Sequence, residues 1–111
     1  QWDATMRWMQ TSSNSEVANF PTNSTGKGNY KDTNGNSPIP TGSNSAYSVN
    51  NIYDMAGNVE EWTIEATRLY RVGRGGAYFS TASDCPASFR GVTHSTYGDI
   101  SYGCRSTLYI K

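Results

Sequence analysis

The Gly57-Asn58 pair, inside the stretch Asn51 to Thr63 (NIYDMAGNVEEWT), constrains this chain more than any other feature. Glycine and asparagine are the residue types that enter left-handed backbone conformations at low cost, so Ala56-Gly57-Asn58 predicts a tight corner. Ile52, Tyr53 and Met55 before it read as a short strand or turn entry. Trp62, four residues after Asn58, carries too much apolar area to leave in water and is expected to anchor the corner to a core. Further on, Leu69, Tyr70 and Val72 form a strand-like run that ends in RVGRGG at Arg71 to Gly76. The paired Gly75 and Gly76 predict a close passage of backbone against backbone. These are scaffold residues, not reactive ones.

Together with YGCR at Tyr102 to Arg105, the two blocks resemble the formylglycine-generating-enzyme (sulfatase-modifying factor) family. Its members carry Y-D-M-x-G-N-V-x-E-W, then R-V-x-R-G-G-S, then an arginine, then G-F-R near the end. The match covers about the last sixty residues and is specific because separated blocks agree in order and spacing. The resemblance implies an α+β fold, a variant of the C-type-lectin fold, loop-rich, with small antiparallel sheets and little helix. Two positions depart from the pattern. Glu60 stands where the family has a tryptophan, and Cys104 where it has a phenylalanine.

With 111 residues, the chain is expected to form one domain, residues 1–111. Nine basic and nine acidic residues give a formal charge of zero, without a basic cluster, which argues against a nucleic-acid partner. No apolar run approaches the ~20 residues that span a bilayer, so direct membrane insertion is not expected. Trp2, Met6 and Met9, with Trp8 alongside, predict a helix that starts without a capping residue other than Gln1. The expectation is therefore the C-terminal part of a longer protein. Scarce charge with abundant Ser, Thr, Asn, Gly and Tyr is the composition of extracellular, loop-rich surfaces more than of cytosolic enzymes. Cys85 and Cys104 are compatible either with a disulfide or with two separate thiols.

Thr11 to Tyr47 is almost wholly polar and broken by Pro21, Pro38 and Pro40. It reads as a long ordered loop, pinned at Val17, Phe20, Tyr30 and Ile39. Asn23-Ser24-Thr25 matches a glycosylation acceptor, of consequence only in a secreted eukaryotic protein. Strands are expected at Leu69 to Val72, Ala77 to Phe79 and Cys104 to Ile110, the last in the middle of the sheet. Ser80 to Tyr102 is expected on the surface. The expected core joins Trp2, Met6 and Met9 to Tyr53, Met55, Trp62, Leu108 and Ile110. Arg74, Arg90 and Arg105 are expected to bond loop carbonyls and carboxylates.

The oxygen-dependent members of the family hold a copper ion between two cysteines shortly after R-G-G-S. Carried over residue by residue, the second falls on Cys85 and the first on Ser80. A serine hydroxyl is a hard, protonated ligand and does not replace a thiolate on Cu(I), so that oxidase chemistry is not expected. His94, the single histidine, could serve Cys85 as a base, but an exposed loop histidine is the plainer reading. The resemblance also suggests calcium near the corner, with Asn58 and Glu61 matching. The competing reading has Glu61 bonding backbone amides and Asp54 capping a turn.

Between Tyr78 and Tyr102 the chain scatters Tyr, Ser, Thr and Asp over a framework of Ala82, Pro86, Ala87, Phe89, Arg90 and Gly103. Tyrosine offers broad amphipathic contact at low entropy cost and Ser, Gly and Asp offer adaptable hydrogen bonding, as in antibody loops. The segment is also similar to the variable region of retroelement-diversified proteins of phages and bacteria, which share the lectin-like fold. Tyr78, Ser80, Thr81, Ser83, Asp84, Thr93, His94, Tyr97, Asp99, Ser101 and Tyr102 suit that pattern. The sequence thus predicts a non-catalytic domain whose Tyr/Ser-rich face binds a protein or glycan on another cell, carried by a phage or bacterial surface protein. The alternative is a copper- or thiol-dependent oxidase or modifying enzyme of the formylglycine-generating type, with Cys85 as its reactive residue.

Overall fold

A computed structural model describes residues 1–11, 18–33 and 37–106. Helix α1 (Trp2–Thr11) opens the chain, and a single 3-10 turn (Ser45–Tyr47) leads into a minimal hairpin of β1 (Ser48–Val49) and β2 (Ile52–Tyr53). After the corner come β3 (Glu60–Ala66), β4 (Tyr70–Arg74), β5 (Arg90–His94) and β6 (Tyr102–Cys104). These last four form one sheet in the order β5-β4-β3-β6, antiparallel except that β6 runs parallel to β3.

The spacing of Trp2, Met6 and Met9 puts all three on one side of α1. Met6 and Met9 are buried, and Trp2 packs on the same core while its indole N–H donates to the Ala87 carbonyl at 2.8 Å. Phe20, Tyr30, Val49, Met55, Ala56, Ala82 and Ala87 complete the cluster. Tyr30 is fully buried, with its hydroxyl 2.8 Å from the Cys85 carbonyl and 3.1 Å from that of Gly75. Burial pushes its phenol far above the ordinary range.

The corner forms as its residues dictate. Gly57 has φ 66° and Asn58 φ 64°, and a Cβ on Gly57 would run into the backbone of Asn29. Asn58 then ties the long loop down. Its carboxamide accepts from the Ile39 amide at 2.9 Å, donates to the Ile39 carbonyl at 3.0 Å and accepts from Asn29 Nδ2 at 3.1 Å. Gly75 and Gly76, at φ 88° and 72°, make the expected close passage, with Cys85 backbone against Gly76 and the Met55 carbonyl and Trp2 indole against Gly75.

The long loop is pinned at the buried Phe20 and Tyr30 and at the half-buried Ile39; Val17 lies outside the described residues. A further pin is buried Ser24, whose hydroxyl donates to the Phe20 carbonyl and accepts from the Ala87 amide, each at 2.8 Å. A buried polar loop persists because such groups find partners.

Several expectations are corrected. Ala77 to Phe79 is a turn closed by the Ser80 amide on the Ala77 carbonyl, because the two left-handed glycines before it redirect the chain. Within the described residues the terminal strand is Tyr102–Cys104, at the edge of the sheet and not in its middle, since β3 and β4 take the two central places. Leu108 and Ile110 lie outside the described residues. Ser80 to Tyr102 is not all surface: it contains β5, and Ala82 and Ala87 are fully buried. Tyr53 is 37% exposed on the small hairpin, so it is no core residue. Trp62 is half-buried and stacks on Tyr102 instead of joining the central cluster.

Candidate binding face

Tyr102 is the hub of the face. Parallel pairing sets it beside Glu60, and its ring stacks on Trp62 with centroids 4.3 Å apart and planes 11° off parallel. Tyr97 meets the same ring edge-on at 5.8 Å. Such contacts contribute about 0.5–1.5 kcal/mol each beyond area burial, so the cluster is held as a unit. The Tyr102 hydroxyl lies 2.9 Å from Thr93 Oγ1, and burial and then the Glu60 charge raise its phenol.

Glu60 rests on a bare patch of sheet. Gly73 and Gly91 face each other across β4 and β5, and a Cβ on either would collide with the Glu60 side chain. Burial raises the Glu60 carboxyl above its ordinary value, a shift that the neighbouring Tyr102 hydroxyl partly opposes. The Tyr102 phenol is likewise raised, first by burial.

Of the remaining predicted residues on this side, His94 sits edge-on to Tyr70 at 5.6 Å, with Nδ1 2.8 Å from the Thr96 hydroxyl. Asp99 accepts the Ser101 amide at 2.9 Å, which holds its carboxyl below the usual value. Ser101 itself is buried, and its carbonyl accepts from the Glu60 amide at 2.7 Å. It belongs to the frame beneath the face, a correction to its place among the contact residues.

Tyr78, Ser80, Thr81, Ser83 and Asp84 form a second group. Tyr78 is edge-on to the exposed Phe79 at 5.3 Å. Thr81 Oγ1 donates to Asp84 Oδ2 at 2.7 Å and lies 3.1 Å from Ser83 Oγ, which caps the turn that delivers Cys85. Burial first, and then the Glu60 charge, raises both the Tyr102 phenol and the Cys85 thiol.

The resemblance places Ser80 and Cys85 at one site, and the two side chains lie near enough for Ser80 to act on the thiol. Burial raises the Cys85 thiol above its ordinary value, a shift that Ser80 only partly opposes. A raised thiol is a poor nucleophile and a poor metal ligand at neutral pH. Cys85 and Cys104 are free thiols, and His94 serves Thr96 and Tyr70, not Cys85.

The two side chains named for calcium have other partners. Asn58 bonds Asn29 and Ile39, and both Glu61 oxygens receive Arg105 Nε at 3.1 and 2.9 Å. A cation held by those two groups would have to displace these bonds. Among the described residues no three His, Cys, Asp or Glu side chains gather where they could hold a metal. Burial raises the Glu61 carboxyl, partly offset by Arg105.

The arginines act as the sequence predicts. Arg74 donates to the Ser88 carbonyl at 3.1 Å and to Asp3 at 2.9 Å; Arg90 pairs with Glu65; Arg105 reaches the carbonyls of Tyr53 and Asp54 at 2.9 and 3.2 Å besides Glu61. Sequence reasoning missed Glu60, Trp62 and Phe79 as members of the face. The one signal for Glu60 was its departure from the family pattern.

Among the described residues no helix is long and apolar enough to cross a membrane. No curated protein matches the chain. Among solved structures, the fold is similar to that of Treponema denticola variable protein 1, with a TM-score of 0.57 and 20% identity over 72% of this chain and 35% of that one. The chain thus spans about a third of that protein's length. The architecture is the loop-rich, C-type-lectin-like one that the sequence motifs imply. The sulfatase-modifying factor enzyme 1-like domain matches residues 2–108, and the chain belongs to that family.

Proposed function

We propose that this domain binds a ligand through the face built around Tyr102 and carries out no reaction. The observation that carries the reading is the aromatic stack of Trp62, Tyr102 and Tyr97, fixed on the sheet by the pairing of Tyr102 with Glu60 and the hydrogen bond between Tyr102 and Thr93. Rigid amphipathic rings bind with little entropy to lose. The similarity to a protein named as variable supports the same reading. The ligand is a protein or glycan on another cell, and the domain is carried on a bacterial surface or a virion.

The adjacency of Ser80 and Cys85 favours the second reading, a thiol-dependent modifying enzyme. Against it stand the hydroxyl where a second thiolate would be needed and the raised thiol of Cys85. One experiment separates the two. The domain is loaded with Cu(I) and assayed for oxygen uptake with a cysteine-containing peptide, while fluorescent domain is tested for binding to intact bacterial cells and to a glycan array. The binding reading expects no uptake, together with cell or glycan binding that drops at least tenfold in Tyr97→Ala and persists in Trp8→Ala. Uptake abolished by Cys85→Ala would overturn it.

A further inference from the structure

Glu60 poses a question that the frame does not answer. The other acidic side chains tied into the sheet have cations: Glu61 has Arg105, and Glu65 has Arg90 and Arg74. Glu60 is 9% exposed, and among the described residues no cationic side chain pairs with it. A carboxylate taken largely out of water is expensive unless charge or several hydrogen bonds compensate it. Two facing glycines nevertheless clear the space in which it lies.

The surroundings suit a positive group. Trp62 and Tyr102 present stacked rings beside the carboxylate, with Tyr97 at their edge, and cations are drawn to aromatic faces. Guanidinium is planar, weakly hydrated and able both to stack on such rings and to donate to a carboxylate. Among the predicted contact residues, Asp84 and Asp99 add negative charge and only His94 can add positive charge. The nearby arginines are engaged: Arg90 with Glu65, Arg74 with Asp3, and Arg71 with the Tyr70 carbonyl.

We infer that the face recognises a basic side chain of a protein partner, an arginine inserted beside Tyr102 so that its guanidinium meets the Glu60 carboxylate and the Trp62–Tyr102 aromatic pair. This deepens the proposed binding function and rests on it. The titratable group paired with Glu60 is the Tyr102 phenol from β6, and the Cys85 thiol in the loop senses its charge; its β4 and β5 neighbours are glycines. Protonation of Glu60 removes the attraction, so binding weakens as pH falls through its raised pKa.

The test is an NMR titration of the domain with four probes: N-acetyl-arginine methylamide, its neutral citrulline isostere, the corresponding lysine compound, and glucosamine. The arginine probe is expected to shift the Trp62 indole N–H and the rings of Tyr97 and Tyr102, binding at least tenfold tighter than citrulline. Glu60→Gln, which keeps the size and removes the charge, is expected to remove that preference, while Tyr102→Phe keeps the stack and retains part of it. Equal response to arginine and citrulline at these rings, or an unchanged preference in Glu60→Gln, overturns the cationic inference and leaves the binding face intact. Tighter binding of glucosamine overturns the choice of a protein partner. Arginine shifts confined to residues away from Trp62, Tyr97 and Tyr102, or no shift from any probe, overturn the inference. In those two cases the cell and glycan assay with Tyr97→Ala decides separately whether the face binds anything.

Discussion

Asn58 and Ile39 bond each other twice, side-chain carboxamide to backbone amide and carbonyl, so a single residue substitutes for a neighbouring strand along the polar loop. Asn58 also tolerates the left-handed conformation of the corner, at φ 64°. Asn58→Ala removes both functions and leaves the Ile39 backbone groups without these partners. A loss of about 2–4 kcal/mol is expected in urea unfolding, the sum of lost bonds and backbone strain. A loss below 1 kcal/mol would show that the loop holds without this bond pair.

Two glycine substitutions should part company. In Gly57→Ala the new methyl meets Asn29 backbone at φ 66°, and neither can yield cheaply, so destabilisation of at least about 2 kcal/mol is expected. In Gly91→Ala the nearest obstacle is the mobile end of Glu60. That variant should lose less than about 1 kcal/mol but displace Glu60 from Tyr102, visible as a changed Tyr102 ring environment by NMR.

Glu60 also sets a pH dependence. Its folded pKa is raised above the ordinary 4.5, so the native state holds that proton more tightly than the unfolded chain. The contribution to stability is fully present below the ordinary value and is lost as pH rises through the folded one. Glu60→Gln should therefore melt higher than the parent at about pH 7.5, with the gap closing near about pH 4. A gap that is constant between the two pH values contradicts the assignment.

Arg105 clamps a buried carboxylate. Arg105→Met leaves Glu61 charged without its partner, and a loss of about 3 kcal/mol is expected, with much of it restored in the double variant Glu61→Gln/Arg105→Met. A double-mutant cycle by chemical denaturation measures this coupling.

The two thiols should react unequally. Cys104 is exposed, whereas Cys85 is half-buried with its thiol raised, so iodoacetamide at neutral pH should label Cys104 about tenfold faster, read by peptide mass spectrometry. Faster labelling of Cys85 would point to an activated thiol and revive the enzymatic reading.

The parts of the fold that local chemistry governs were legible in the chain. Gly57-Asn58 and Gly75-Gly76 have the backbone angles that their residue types favour, and the methionine spacing of α1 marks its buried side. What could not be read depends on partners distant in sequence. Arg90–His94 has one aliphatic residue, Val92, and a glycine; it becomes a strand because β4 supplies the ladder. The edge position of β6 follows from its pairing with β3, which no spacing announces. For the face, residue types pointed to Thr93, Tyr97 and Tyr102, but the place of Glu60 depends on Gly73 and Gly91 facing each other, a cross-strand coincidence invisible in one dimension. Ser101 was misjudged because a serine in a tyrosine-rich stretch looks like its exposed neighbours.

The parallel pairing of Glu60 with Tyr102 has a consequence for biosynthesis. Forty-two residues must leave the ribosome after Glu60 before β3 meets β6, well after β4 has covered its other side, and such long-range closure is slow to form. Until then the indole of Trp62 has no tyrosine to cover it and the nascent chain exposes an unfinished sheet edge. The candidate face therefore matures late in translation, and truncation before residue 102 removes it together with the Arg105 clamp on the Tyr53 and Asp54 carbonyls.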